Sequence, residues 1–168
     1  AQWLNDSAKR LAEWRDPVVS LYCKGCISTS TVLARSDALR AAGGFDPSLT
    51  NGQDVDLWLA LLTRPDATFA ISEEPFSNYR LYAGSINTHT ARRFRFFMQI
   101  AWRWSHEVAG RRHGGVSAIL FRIAAIHLEA VRSFAGNGNW TAVISICLRA
   151  PFNLFRALMV PTVAKPYT

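Results

Sequence analysis

The chain has 168 residues, 49% of them hydrophobic, and a formal net charge of +7, which suits one domain or part of one with a real core. The charge is uneven: residues 1–89 carry 8 Lys+Arg against 10 Asp+Glu, whereas residues 90–168 carry 11 against 2. A basic half selects among nucleic acid, an anionic membrane surface and a phosphorylated substrate without deciding between them.

Composition also disfavours several classes. Three cysteines, Cys23, Cys26 and Cys147, make an odd count that argues against a disulfide framework and for a reducing compartment. The opening "AQWLNDSAKRLAEWRDP" lacks the basic-then-apolar pattern of a signal peptide and looks like the middle of something longer. Two apolar stretches near the C-terminus are interrupted, one by Arg122, His127 and Glu129, the other by Arg149, Pro151 and Arg156, and fall short of the ~20 uninterrupted apolar residues of a membrane span.

In chain order, Asn5, Asp6 or Ser7 is expected to cap a helix through about Trp14, stopped by Asp16-Pro17. "CISTSTVL", from Cys26 to Leu33, is rich in β-branched residues and small hydroxyls and predicts a buried strand. "SDALRAAGG" predicts a short helix with Ser36 as N-cap and Gly43 just past its end. A Gly/Pro/Asn/Asp-dense loop then leads into the helix "VDLWLALLTR". Beyond Pro65, "ATFAIS" and "PFSNYRLY" predict two short strands. From Thr90 the pattern is helical, divided at Gly114-Gly115 and at "GNGN" into segments of roughly 91–112, 116–135 and 140–159, with Pro151 expected to kink or split the last. The expected organisation is a first part, 1–90, and a helical tail, 91–168.

The chemistry gathers at "GQDVDLWLALL", where Asp54 and Asp56 sit as a loop becomes a helix. An Asp-x-Asp metal site needs both carboxylates on one cation, and its usual position at the end of an apolar strand is missing here. Capping by Asp54 and dipole complementation by Asp56 would each contribute about 0.3–1 kcal/mol. A third reading makes one of the two acids catalytic.

"STVLARSDALRAAGGFDPSL", "GQDVDLWLALL" and "PFSNYRLYAGSIN", taken together, resemble the acceptor-side, C-terminal half of the catalytic domain of family 2 glycosyltransferases. The resemblance covers about residues 15–90. It implies an α/β chain, the C-terminal part of a GT-A fold followed by a mostly α-helical tail, in an enzyme of polysaccharide or glycoconjugate biosynthesis. It implies transfer of a sugar from a nucleotide-sugar donor to a glycan or other hydroxyl acceptor, with inversion, Asp54 being the base. It further implies a divalent cation, Mg or Mn, held mainly by an upstream nucleotide-binding half that residues 1–25 cannot supply, so that this chain alone should not turn over. No metal ligand is assigned within the chain.

Gln53, Asp56, Trp58, Phe45 and Arg80 are the expected substrate-binding neighbours. Trp58 and Phe45 offer aromatic faces to sugar C–H surfaces, with core packing as the alternative. Arg80 suits a donor diphosphate, or else a salt bridge to Asp56 or Glu73. The sequence departs from the family pattern at Gln53, where an acid is usual, at Ala60, where an arginine is common, and at Tyr82, where many members carry a histidine; His89 is the nearest substitute.

The remaining signals are weaker. Cys23-Lys24-Gly25-Cys26 is a lone CxxC and reads as structural thiols rather than zinc or redox chemistry. "RRFRFFMQIAWRW" interleaves arginine with aromatics, as single-stranded nucleic-acid binders do, but on a helix Phe94, Phe97, Met98, Ala101, Ser105 and Val108 share one face and predict packing. That leaves the arginines for anionic lipid headgroups, disfavours nucleic acid, and places the protein in the cytoplasm, peripheral at the inner face of the membrane. His127 lies on an apolar face and is expected to be a satisfied core residue. The alternative to catalysis is a non-catalytic docking module that binds a membrane surface or a protein partner through its basic helices.

Overall fold

The computed structural model describes residues 16–25, 27–70 and 90–161. They form six α-helices: α1 (Pro17–Lys24), α2 (Ser36–Ala41), α3 (Gln53–Leu62), α4 (Thr90–Ala109), α5 (Gly115–Gly136) and α6 (Trp140–Leu158), with a 3₁₀ turn at Thr29–Thr31. The chain divides into two compact units, Ala1–Ala83 and Gly84–Thr168.

The first unit is built on α1 and α3, which pack together. Asp16-Pro17 starts a helix that is not among those expected: the Asp16 carboxylate accepts from the amides of Val18 at 2.9 Å and Val19 at 3.3 Å, and Pro17 takes the first helical position. The helix expected before it lies outside the described residues. Val18, Leu21 and Tyr22 of α1 and Leu57 and Leu59 of α3 are fully buried, and they form the centre of this unit's core. In α2 the N-cap position belongs to Arg35, not Ser36. Its guanidinium grips the Asp37 carboxylate at 2.7 and 3.1 Å, and that hydrogen bond lowers the Asp37 pKa to about 2. The end of α2 is as expected, with Gly44 N–H on the Leu39 carbonyl and Gly43 N–H on that of Arg40, the paired bonds of a Schellman turn.

The second unit is an up-down-up bundle of α4, α5 and α6. Thr90 bonds Ser133, Arg93 pairs with Glu129, and the Phe94 ring meets His127. The partner's number falls as the α4 number rises, which makes α4 and α5 antiparallel. The α5–α6 connection is two capping motifs fused. Gly138, at φ 70°, and Asn139 donate to the Ala135 and Phe134 carbonyls, and Asn139 in turn accepts from the Ala142 amide at 3.1 Å, ending one helix and starting the next within three residues. At the α4–α5 turn a Cβ on Gly114 would collide with the Val108 carbonyl oxygen, so only glycine fits.

One polar layer crosses the bundle. His127 is buried; Nδ1 lies 2.8 Å from the Ile123 carbonyl, which can only accept, so Nδ1 carries the proton. Nε2 then accepts from the Asn153 amide of α6 at 3.2 Å. Asn153→Ala leaves that buried nitrogen unpaired and is expected to lower stability by about 1–3 kcal/mol in urea denaturation. No loss of stability would mean that the layer contributes nothing.

The α/β expectation is overturned: among the described residues there is no strand, and the architecture is all-α. "CISTSTVL" shows why. The Thr31 hydroxyl bonds the Ser28 carbonyl at 2.7 Å and Ser28 and Ser30 hydroxyls meet at 3.2 Å, so the side chains satisfy local groups that a ladder would otherwise pair. Leu33, expected in a buried strand, is fully exposed. Residues 67–70 take no regular structure, and the rest of the two later strands lies outside the described residues. The three long helices stand within a few residues of their expected limits, and α6 runs through Pro151 without splitting.

Candidate functional site

Gly52 occupies the N-cap of α3 with φ 76° and no side-chain cap, a conformation that suits glycine. Gln53 is therefore the first helical residue, Asp54 the second, and Asp54 does not cap the helix. The half-buried Asp54 carboxylate accepts from the Val55 amide through Oδ1 at 2.8 Å and from the Thr29 hydroxyl through Oδ2 at 3.0 Å. Two separate pieces of chain, the 3₁₀ turn and α3, thus meet at this carboxylate. It also sits in the first turn of a helix, where the unpaired amides favour negative charge.

The Asp-x-Asp cannot act as a chelating pair in this geometry. Residues two apart on a helix diverge by about 200°, and Asp56 is buried while Asp54 faces the Thr29 side. Among the described residues no three His, Cys, Asp or Glu side chains converge on a metal position. The described residues therefore offer no converging ligand set for the implied divalent cation. Neither Cys23, which is buried, nor Cys147, which is exposed, is in a disulfide, and Cys26 lies outside the described residues.

Trp58 stands one turn beyond Asp54 on the same flank of α3. Its ring meets Phe45 edge-on, with centroids 6.3 Å apart and planes at 71°. Trp58 is buried and Phe45 about half exposed, so the pair joins the core to the surface beside the loop. The Trp58 indole Nε1–H is buried and finds no hydrogen-bond partner, a state that ordinarily costs about 1–3 kcal/mol. Gln53 is exposed next to Asp54. Arg80, Tyr82 and His89 lie outside the described residues. The structure brings together Asp54, Thr29, Trp58 and Phe45. Sequence reasoning missed Thr29, whose only sign was its place in a run of hydroxyl residues.

Two of the four α4 arginines lie over aromatic rings. Arg93 lies over Phe97 at 5.8 Å and Arg95 over Phe96 at 5.2 Å, and Arg93 also pairs with Glu129. Arg122 of α5 is buried, with its guanidinium 5.2 Å from the Phe97 ring. The chain matches no protein-family model, no curated protein and no solved structure.

Proposed function

We propose that the segment from Phe45 to Trp58, with Thr29, is the acceptor-side part of a glycosyltransferase in which Asp54 is the catalytic base. What carries this reading is the Asp54 carboxylate: half-buried in the first turn of α3 and already accepting one O–H, from Thr29 at 3.0 Å. An acceptor hydroxyl is the same kind of donor. As its oxygen forms a bond to the anomeric carbon, its proton passes to Asp54, and the bond from that carbon to the nucleoside diphosphate breaks with its electron pair leaving on phosphate oxygen. Attack opposite the leaving group inverts the anomeric centre.

The proposal rests on these residues and not on a sheet. The nucleotide-sugar donor is to be held by parts of the enzyme other than those described. Phe45, about half exposed, offers an apolar ring at the edge of the acceptor position.

The reading is tested by turnover of the complete protein with a panel of nucleotide-sugar donors and a broad acceptor mixture. Phe45→Ala removes the half-exposed ring and is expected to raise the acceptor KM about twofold to tenfold, the worth of one aromatic contact, with the donor KM unchanged. An unaltered acceptor KM would take Phe45 out of the site, and absence of turnover from a well-folded protein with every donor would remove the glycosyltransferase assignment.

A further inference from the structure

The last helix presents an apolar face that the bundle does not cover. Trp140, Ile144, Leu148, Phe152, Phe155 and Met159 are each between 59% and 75% exposed. At 100° per residue they fall within an arc of about 120° that runs the whole helix, about 28 Å. Cys147 and Pro151, both exposed, lie in or beside the same arc, and no charged residue lies within it. The opposite flank carries Ile146 and Ala157, which are buried, and Asn153, which bonds His127. The helix is thus anchored on one side and unpartnered on the other.

We propose that this face of α6 docks on an anionic lipid surface, lying in the headgroup region with its long axis along the membrane plane. The charges argue for lipid. Residues 130–168 contain no acidic side chain, and their cations are Arg132, Arg149, Arg156 and Lys165. Arg149 and Arg156, seven residues apart, line one border of the apolar arc, where long stems follow apolar surface while the guanidinium groups stay among phosphates. Arg156 also lies 4.2 Å over the Trp102 ring, which fixes that border to the bundle. Trp140 marks one end of the arc, the position at which an amphipathic indole meets the headgroups.

By length and composition α6 is also apolar enough to cross a membrane. Crossing conflicts with three features. Arg149 is the tenth of 19 residues and would sit at the bilayer centre. Pro151 removes the amide that would bond the Cys147 carbonyl, which then needs water or a headgroup. The packed flank cannot face lipid without giving up the His127–Asn153 layer. The inference is independent of any chemistry at Asp54.

The test is co-sedimentation of the 168-residue chain with vesicles of mixed phosphatidylcholine and phosphatidylglycerol, beside pure phosphatidylcholine, over a salt series. Binding to the anionic vesicles is expected, weakening but not vanishing as salt rises. Leu148→Glu with Phe152→Glu, both on exposed positions, is expected to lower partitioning at least about tenfold with an unchanged helical circular-dichroism spectrum. Arg149→Glu, which spares the apolar arc, should reduce binding to anionic vesicles only. No partitioning by the folded chain, or partitioning indifferent to the double substitution, overturns the proposal. So does a dimer in sedimentation velocity that the double substitution dissolves while vesicles remain unbound, since the face would then belong to a second copy.

Discussion

Asp54→Asn in the complete protein is expected to lower sugar transfer by about two to four orders of magnitude, the range that general-base catalysis contributes. Asparagine has the shape of aspartate, and with its carbonyl oxygen on the Val55 amide its NH2 can donate to the Thr29 hydroxyl oxygen, so the contact between the 3₁₀ turn and α3 persists. What disappears is the proton acceptor. Donor binding, measured by titration of the nucleotide sugar, should change little. The split separates a base from a structural residue: if Asp54 merely tied two segments together, the asparagine would retain transfer, and activity within a few fold of wild type would sink the assignment.

The second large effect concerns stability. Ile123→Ala is expected to destabilise the helical unit by about 2–5 kcal/mol, because the removed atoms were fully buried and the cavity they leave is walled by side chains already fixed in place. Ile123 sits on α5, the helix that packs against both α4 and α6, and its carbonyl accepts the hydrogen bond from His127 Nδ1–H. Against a usual total of about 5–15 kcal/mol, such a loss is a large fraction of the stability. Leu148→Ala, of similar chemistry on the open face of α6, should stay within about 0.5 kcal/mol in the absence of lipid. Equal effects in urea denaturation would mean that the α6 face is covered in solution. Together the two variants separate apolar residues that hold the bundle from those left available to a partner.

The long helices were readable because their signals are local. Apolar residues recur at helical spacing from Thr90 onward, and Gly114-Gly115 and "GNGN" interrupt them where the backbone turns. The first unit was less readable. The helix that follows Asp16 was not expected, although an aspartate N-cap with proline at the first helical position is a local signal for it. The hydroxyl run before Leu33 has strand composition, yet its side chains bond neighbouring groups, so that Thr29 is left pointing at Asp54.

The sequence by itself determined where the helices of the second unit begin and end, that the acidic pair opens α3, and that positive charge gathers in the last half. Capping, periodicity and composition are properties of neighbouring residues and need no partner. Tertiary structure alone decided the rest. It placed Thr29 against a carboxylate 25 positions away, set Arg93 and Arg95 over rings, buried Arg122, and left one arc of α6 bare while its opposite flank packed. An apolar side chain has the same pattern whether a neighbouring helix covers it or not, and only the packed chain shows which of them remain uncovered.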